Sequence, residues 1–171
     1  MGFGMAMSLL FAGCAKAPPV PVERVQIRTA TAAEVLRVIR GSGNQLVLVN
    51  MWATWCGPCR EEFPDVVRLQ RNYWARGLKV VFVSWDTDPE VARQFLAAQG
   101  VDSPSFVKSD SEKDPQFIDA LDSRWSGAIP ATLLYDGRGK LQDFWEGKQT
   151  YKVLERKVLD VLSKPIERMV P

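Results

Sequence analysis
Two cysteines, Cys56 and Cys59, enclose Gly57-Pro58 and follow the apolar run Leu46-Val47-Leu48-Val49. A helical pattern begins immediately afterwards. A helix that starts at Cys56 places the first sulfur among unpaired backbone N–H groups, at the positive end of the helix dipole. A thiolate is stabilised there, so a thiol with an ordinary pKa of ~8.5 can fall to roughly 7 or lower. Gly57-Pro58 suits the first helical turn, where the missing proline N–H has no helical partner to lose. The spacing therefore predicts an exposed nucleophile, Cys56, with Cys59 one turn behind it to close a disulfide. A purely structural disulfide could use the same pair, although so short a loop adds little stability. A zinc site needs four ligands, and the chain holds 3 cysteines and no histidine.

The elements that must position this pair read as an alternation of strands and helices. Short strands are predicted at Val25–Arg28 and Gln45–Met51, the second delivering the chain to the cysteines. Thr31-Ala32-Ala33-Glu34 has capping-box spacing and opens a helix to about Arg40, stopped by Gly41-Ser42-Gly43. A long helix runs from Cys56 to about Ala75, interrupted by Pro64, which removes one backbone bond. Val80-Val81-Phe82-Val83 is apolar on both faces, as a central parallel strand should be. Asp88-Pro89 caps a helix to about Gln99. Ser105–Lys108 is a strand and Asp114–Arg124 a helix. Asp136-Gly137-Arg138-Gly139 forms a hairpin turn before a strand from Lys140 to Glu146. Val153, Leu154, Val158, Leu159 and Leu162 recur at helical spacing in the closing helix.

With 171 residues, 46% hydrophobic and 25% charged, the chain can bury one sizeable core in a single α/β domain. The net charge of +2 is spread along the sequence, which gives no case for nucleic acid or for electrostatic docking to a membrane. Of the 6 tryptophans, Trp52 and Trp55 flank the cysteines, and Trp74, Trp85, Trp125 and Trp145 read as core or groove residues.

Trp52-Ala53-Thr54-Trp55-Cys56-Gly57-Pro58-Cys59 resembles the thioredoxin superfamily. The continuation Arg60-Glu61-Glu62-Phe63-Pro64 is similar to its TlpA/ResA branch of membrane-tethered thiol–disulfide oxidoreductases. Gly127-Ala128-Ile129-Pro130-Ala131-Thr132 resembles the family's loop before the penultimate strand. The resemblance implies a thioredoxin-like fold: a central mixed sheet with helices on both faces and an inserted helix–strand–helix segment before the proline loop. It also implies a cis Ile129–Pro130 bond. Cys56 would attack a target disulfide and Cys59 would resolve the mixed disulfide. Trp55, Gly57, Pro58, Ala128, Ile129 and Pro130 would face the substrate. Asn50 occupies the place of thioredoxin's buried aspartate, and Phe82 that of its lysine. By resemblance Glu62 takes over as proton acceptor, unless Glu61 and Glu62 are both solvated and merely favour the helix start.

The same resemblance implies reduction of protein disulfides outside the cytoplasm, with a membrane protein as electron donor. Apocytochrome c or copper-site proteins would be the targets. No cofactor is expected beyond the Cys56–Cys59 disulfide, and no metal. Copper-binding metallochaperones and thiol peroxidases on the same fold are the alternatives. Residues 1–13 read as an apolar signal segment, and Leu10-Phe11-Ala12-Gly13-Cys14 resembles a bacterial lipobox. Cys14 would then carry a lipid anchor on the periplasmic side. Residues 14–22 read as an extended proline-rich tether and 23–171 as the folded domain.

Overall fold
The computed structural model describes residues 17–163. The expected signal segment and Cys14 lie outside the described residues. Six strands form one sheet: β1 (Ile27–Ala30), β2 (Leu46–Trp52), β3 (Leu78–Ser84), β4 (Ser105–Lys108), β5 (Ala131–Asp136) and β6 (Leu141–Glu146), in the order β1-β4-β3-β2-β5-β6. The first four run parallel; β5 pairs antiparallel with β2, and β6 antiparallel with β5. Five helices complete the chain: α1 (Ala32–Arg40), α2 (Gly57–Tyr73), α3 (Pro89–Ala98), α4 (Asp114–Leu121) and α5 (Tyr151–Leu162). The inserted α3–β4–α4 segment contributes its strand to the sheet, between β1 and β3.

All seven residues of β2 are buried, so the strand is covered on both faces. Strand alternation then sorts the core. Leu46, Leu48, Trp52, Val80 and Phe82 face α2, α3 and α5, whereas Val47, Val49, Met51, Val81 and Val83 face α1 and α4. Asn50 shares the parity of Leu48 and Trp52, and Thr132 that of Leu134. Both therefore point toward α2 from within an apolar layer. Directly below the cysteines, Phe63 of α2 stacks on Phe82 at 4.6 Å and meets Trp52 edge-on at 4.8 Å. Such ring pairs add about 0.5–1.5 kcal/mol each beyond their buried area, and they fix the start of α2 against the sheet.

Several boundaries differ from the sequence expectation. The first strand begins at Ile27, because Val22–Arg24 form a 3-10 turn that tucks Val25 into the core before the strand starts. Helix α4 stops at Leu121. Asp122 adopts extended backbone, and its carboxylate accepts hydrogen bonds from the Arg124 N–H and guanidinium. Part of the expected tether is docked: the Val20 N–H donates to the Ala97 carbonyl at 2.9 Å, and Ala17 and Val20 pack on the core. Trp74 is 69% exposed rather than a core or groove residue, because α2 ends at Tyr73 and a 3-10 turn swings the next side chain outward.

Candidate active site
Strand β2 ends at Trp52, and a turn closed by the Cys56 N–H on the Ala53 carbonyl brings the chain to the helix. Cys56 is the N-cap of α2, not its first residue. Its Sγ accepts from the Cys59 N–H at 3.2 Å, one of the orphan donors of the first turn. The two sulfurs are bonded to each other. The sequence predicts an exposed Cys56; it is 6% exposed and Cys59 2%, because the proline loop lies over them. Gly57 and Pro58 are exposed beside the pair, and Trp55 is 66% exposed.

The loop ahead of Cys56 is pinned by a residue that sequence reasoning missed. Asp86, 6% exposed, accepts from the Thr54 N–H at 3.1 and 3.2 Å and from the Thr54 hydroxyl at 2.6 Å. The Ser84 hydroxyl donates to its other oxygen at 2.5 Å. A buried carboxylate is tolerated only when hydrogen-bonded, and this one accepts from Thr54 of the loop it holds and from Ser84 at the end of β3. Its one visible signal is its place just past the carboxyl end of β3, where parallel sheets carry their sites.

Facing the disulfide, the Ile129–Pro130 peptide is cis, and the Ile129 carbonyl oxygen lies 3.6 Å from Cys56 Sγ. This loop too is held from behind. The Trp125 indole N–H donates to the Ala128 carbonyl at 2.8 Å, the Gly147 N–H to the Pro130 carbonyl at 2.8 Å, and Trp125 packs edge-on to Trp85 at 5.2 Å. Ala128 is exposed, Ile129 half-buried and Pro130 buried.

Glu61 and Glu62 are adjacent in sequence and opposite in environment. Glu61 is exposed and pairs with Lys148, whose ammonium holds its carboxyl below the usual range. Glu62 is 2% exposed. Burial pushes its carboxyl above the usual range, opposed by hydrogen bonds from the Gln149 backbone N–H to Oε2 and the Asn50 amide to Oε1 at 3.2 Å. The same Asn50 amide donates to Thr132 Oγ1 at 3.2 Å. The motif helix, β2, β5 and the β6–α5 loop thus meet at one carboxylate. Gln149 and Thr132 carry no sequence signal for this role, since 87 and 70 positions separate them from Glu62.

Comparison with known proteins agrees with this geometry. The AhpC/TSA family model matches residues 15–144, most of the chain. The chain belongs to the AhpC/TSA family. Its fold is thioredoxin-like: a thioredoxin-family thiol:disulfide interchange protein from Chlorobium tepidum superposes with a TM-score of 0.62 at 23% identity, over 87% of this chain and 99% of that one. Among family relatives it is similar to the thiol:disulfide interchange protein HelX of Rhodobacter capsulatus, 33% identical over 70% of this chain and 62% of the relative. It is also similar to the thiol-disulfide oxidoreductase ResA of Bacillus subtilis, 28% identical over 68% of this chain and 59% of the relative. The chain thus spans about three-fifths of the length of these curated relatives.

Proposed function
We propose that the protein is a thiol–disulfide oxidoreductase that reduces disulfides of protein substrates outside the cytoplasm. One observation carries this reading: a C-x-x-C pair capping a helix, 3.6 Å from a loop carbonyl, with a buried carboxylate on the same helix. The Cys56 thiolate attacks one sulfur of a target disulfide, and the other target sulfur leaves as a thiolate and takes a proton. Glu62 accepts the proton of the Cys59 thiol. The Cys59 thiolate then attacks Cys56 Sγ, expelling the second target sulfur. Two electrons pass to the target, and the protein is left with the Cys56–Cys59 disulfide. Its upward-shifted carboxyl suits Glu62 to this task, because a base works best when its pKa approaches that of the thiol it serves.

Trp55, Gly57 and Pro58 on one side and Ala128, Ile129 and Pro130 on the other bracket the substrate. An extended target segment pairs strand-like with the backbone at Ile129. The targets are secreted proteins whose paired cysteines must stay reduced, apocytochromes c and copper-site proteins. A membrane protein returns electrons to the disulfide. Anchoring is through a lipid on Cys14; among the described residues no helix is long and apolar enough to cross a membrane.

Dithiothreitol-driven reduction of insulin tests the activity. Wild type turns over and Cys56→Ser does not. Equal rates would remove the assignment, and stoichiometric Cu(I) binding or peroxide consumption without insulin reduction would replace it with a metallochaperone or a peroxidase.

A further inference from the structure
Strands β1 to β4 point the same way and the cysteines lie at their carboxyl end, so α2 carries the chain back to the opposite end of the sheet. There Trp74 stands 69% exposed, whereas Trp52, Trp125 and Trp145 are all buried. Arg71, one turn earlier, and Arg76, two residues later, flank it, both exposed. Gly77 packs on Gln45, and Gly139 of the β5–β6 turn packs on the Arg40 side chain. Those contacts bring Arg40, Arg138 and Lys140 to the same end. The acid of that turn, Asp136, is engaged by the Arg138 and Lys140 backbone N–H groups and by the Gln142 amide. Basic residues dispersed through the sequence are therefore gathered by the fold at one end of the sheet.

The amino-terminal segment leaves from the basic end. Ala17 and Pro18 line a groove with Gln70, Arg71 and Asp102, the acid paired with Arg24, on the helix face that Trp74 continues. The Pro18 carbonyl sits so close to Gly100 that an added Cβ would come within 2.4 Å of it. The residues before Ala17 include the uncharged apolar run Gly2–Gly13.

From these observations we infer that the Trp74 end is a membrane-contact surface that seats on an anionic bilayer. Indole side chains favour the headgroup region, and arginines near it are attracted to anionic lipids. With Trp74 at the lipid surface, the 17 residues of α2 hold the dithiol roughly 25 Å away, facing outward.

The test uses the full chain with vesicles of phosphatidylcholine alone or mixed equally with phosphatidylglycerol, each containing lipids brominated on their acyl chains. Residues 1–16 hold no tryptophan, so quenching of indole emission reports the body and not the leader. Quenching is expected on the anionic vesicles and not on the neutral ones. It should be lost in Trp74→Ala, unchanged in Trp55→Ala, and fall by roughly fivefold or more in Arg71→Glu/Arg76→Glu at ~0.1 M salt. Equal quenching in wild type and Trp74→Ala, or equal quenching on both vesicle types, would overturn the proposal. So would a dimer in solution that hides Trp74. Insulin reduction by Trp74→Ala should match wild type, so this proposal and the redox assignment fail separately.

Discussion
At its amino-terminal end α2 begins beneath protein, with Cys56 6% and Cys59 2% exposed; at its carboxyl-terminal end Trp74 stands 69% exposed between two arginines. At the buried end both enclosed carboxylates have named partners: Asp86 with Thr54 and Ser84, Glu62 with Asn50 and Gln149. At the other end Arg71 and Arg76 are exposed, Arg76 with its guanidinium over the Tyr73 ring at 5.2 Å. One helix therefore serves two solvents. Where chemistry must be positioned, polar atoms are enclosed and tied. Where a surface is to be met, charged side chains stand exposed. Changes at the first end should cost activity or stability steeply, and changes at the second should barely register in either.

The largest contrast is expected from Cys59→Ser. Attack by Cys56 survives and resolution does not, so turnover should vanish and intact mass should show a covalent adduct with the target. Absence of any adduct would place the attacking sulfur elsewhere. Next comes Glu62→Gln, which should slow exchange by about 100-fold with the fold intact, the range expected for losing a positioned base. Glu61→Gln should stay within about twofold, since an exposed ion pair contributes little. Similar rates for the two variants would erase the distinction drawn between these neighbours.

Asp86→Ala should come third. It strands the Thr54 and Ser84 donors, at a cost of about 2–4 kcal/mol in urea unfolding, whereas Asp86→Asn keeps part of the network. A smaller effect follows from the upward shift at Glu62. Its folded pKa lies above the unfolded value of 4.5, so the native state binds more protons in the interval between them. Stability of the oxidised protein should be fullest below 4.5 and decline as pH rises through the folded value. Unfolding measured from pH 4 upward should lose that slope in Glu62→Gln. Last, Trp74→Ala should alter stability by no more than about 0.5 kcal/mol, the ordinary range for a surface site.

Much of this was legible in the sequence because it is local. The capping box at Thr31 and Glu34 forms with both of its hydrogen bonds, and Asp88-Pro89 opens α3. The unbroken apolar run Val80–Val83 anticipated a strand buried on both faces. What stayed hidden depends on contacts between distant positions. Nothing near Asp86 announces that it holds Thr54, 32 residues away. Glu62 was singled out by resemblance and by spacing from Cys59, yet its burial depends on Gln149. The basic end was missed for the same reason: residues 40, 71, 76, 138 and 140 form no run until the sheet assembles them. Trp74 was placed indoors because tryptophan usually is, and only the end of α2 decides otherwise.

The cradle around Glu62 is reversible in the manner of a row of switches. Both carboxylate oxygens already face donors, so an incoming proton would set hydrogen against hydrogen. The Gln149 N–H cannot invert, being backbone. Asn50 can: turning its amide end over end offers Oδ1 to a protonated Oε1 and, on its other side, to the Thr132 hydroxyl, which passes from acceptor to donor. One amide rotation thus re-satisfies both Glu62 and Thr132 without any change of backbone. An aspartate at position 50 has two acceptors and nothing to turn, so it would lock the row in a single sense and carry a second charge beside Glu62.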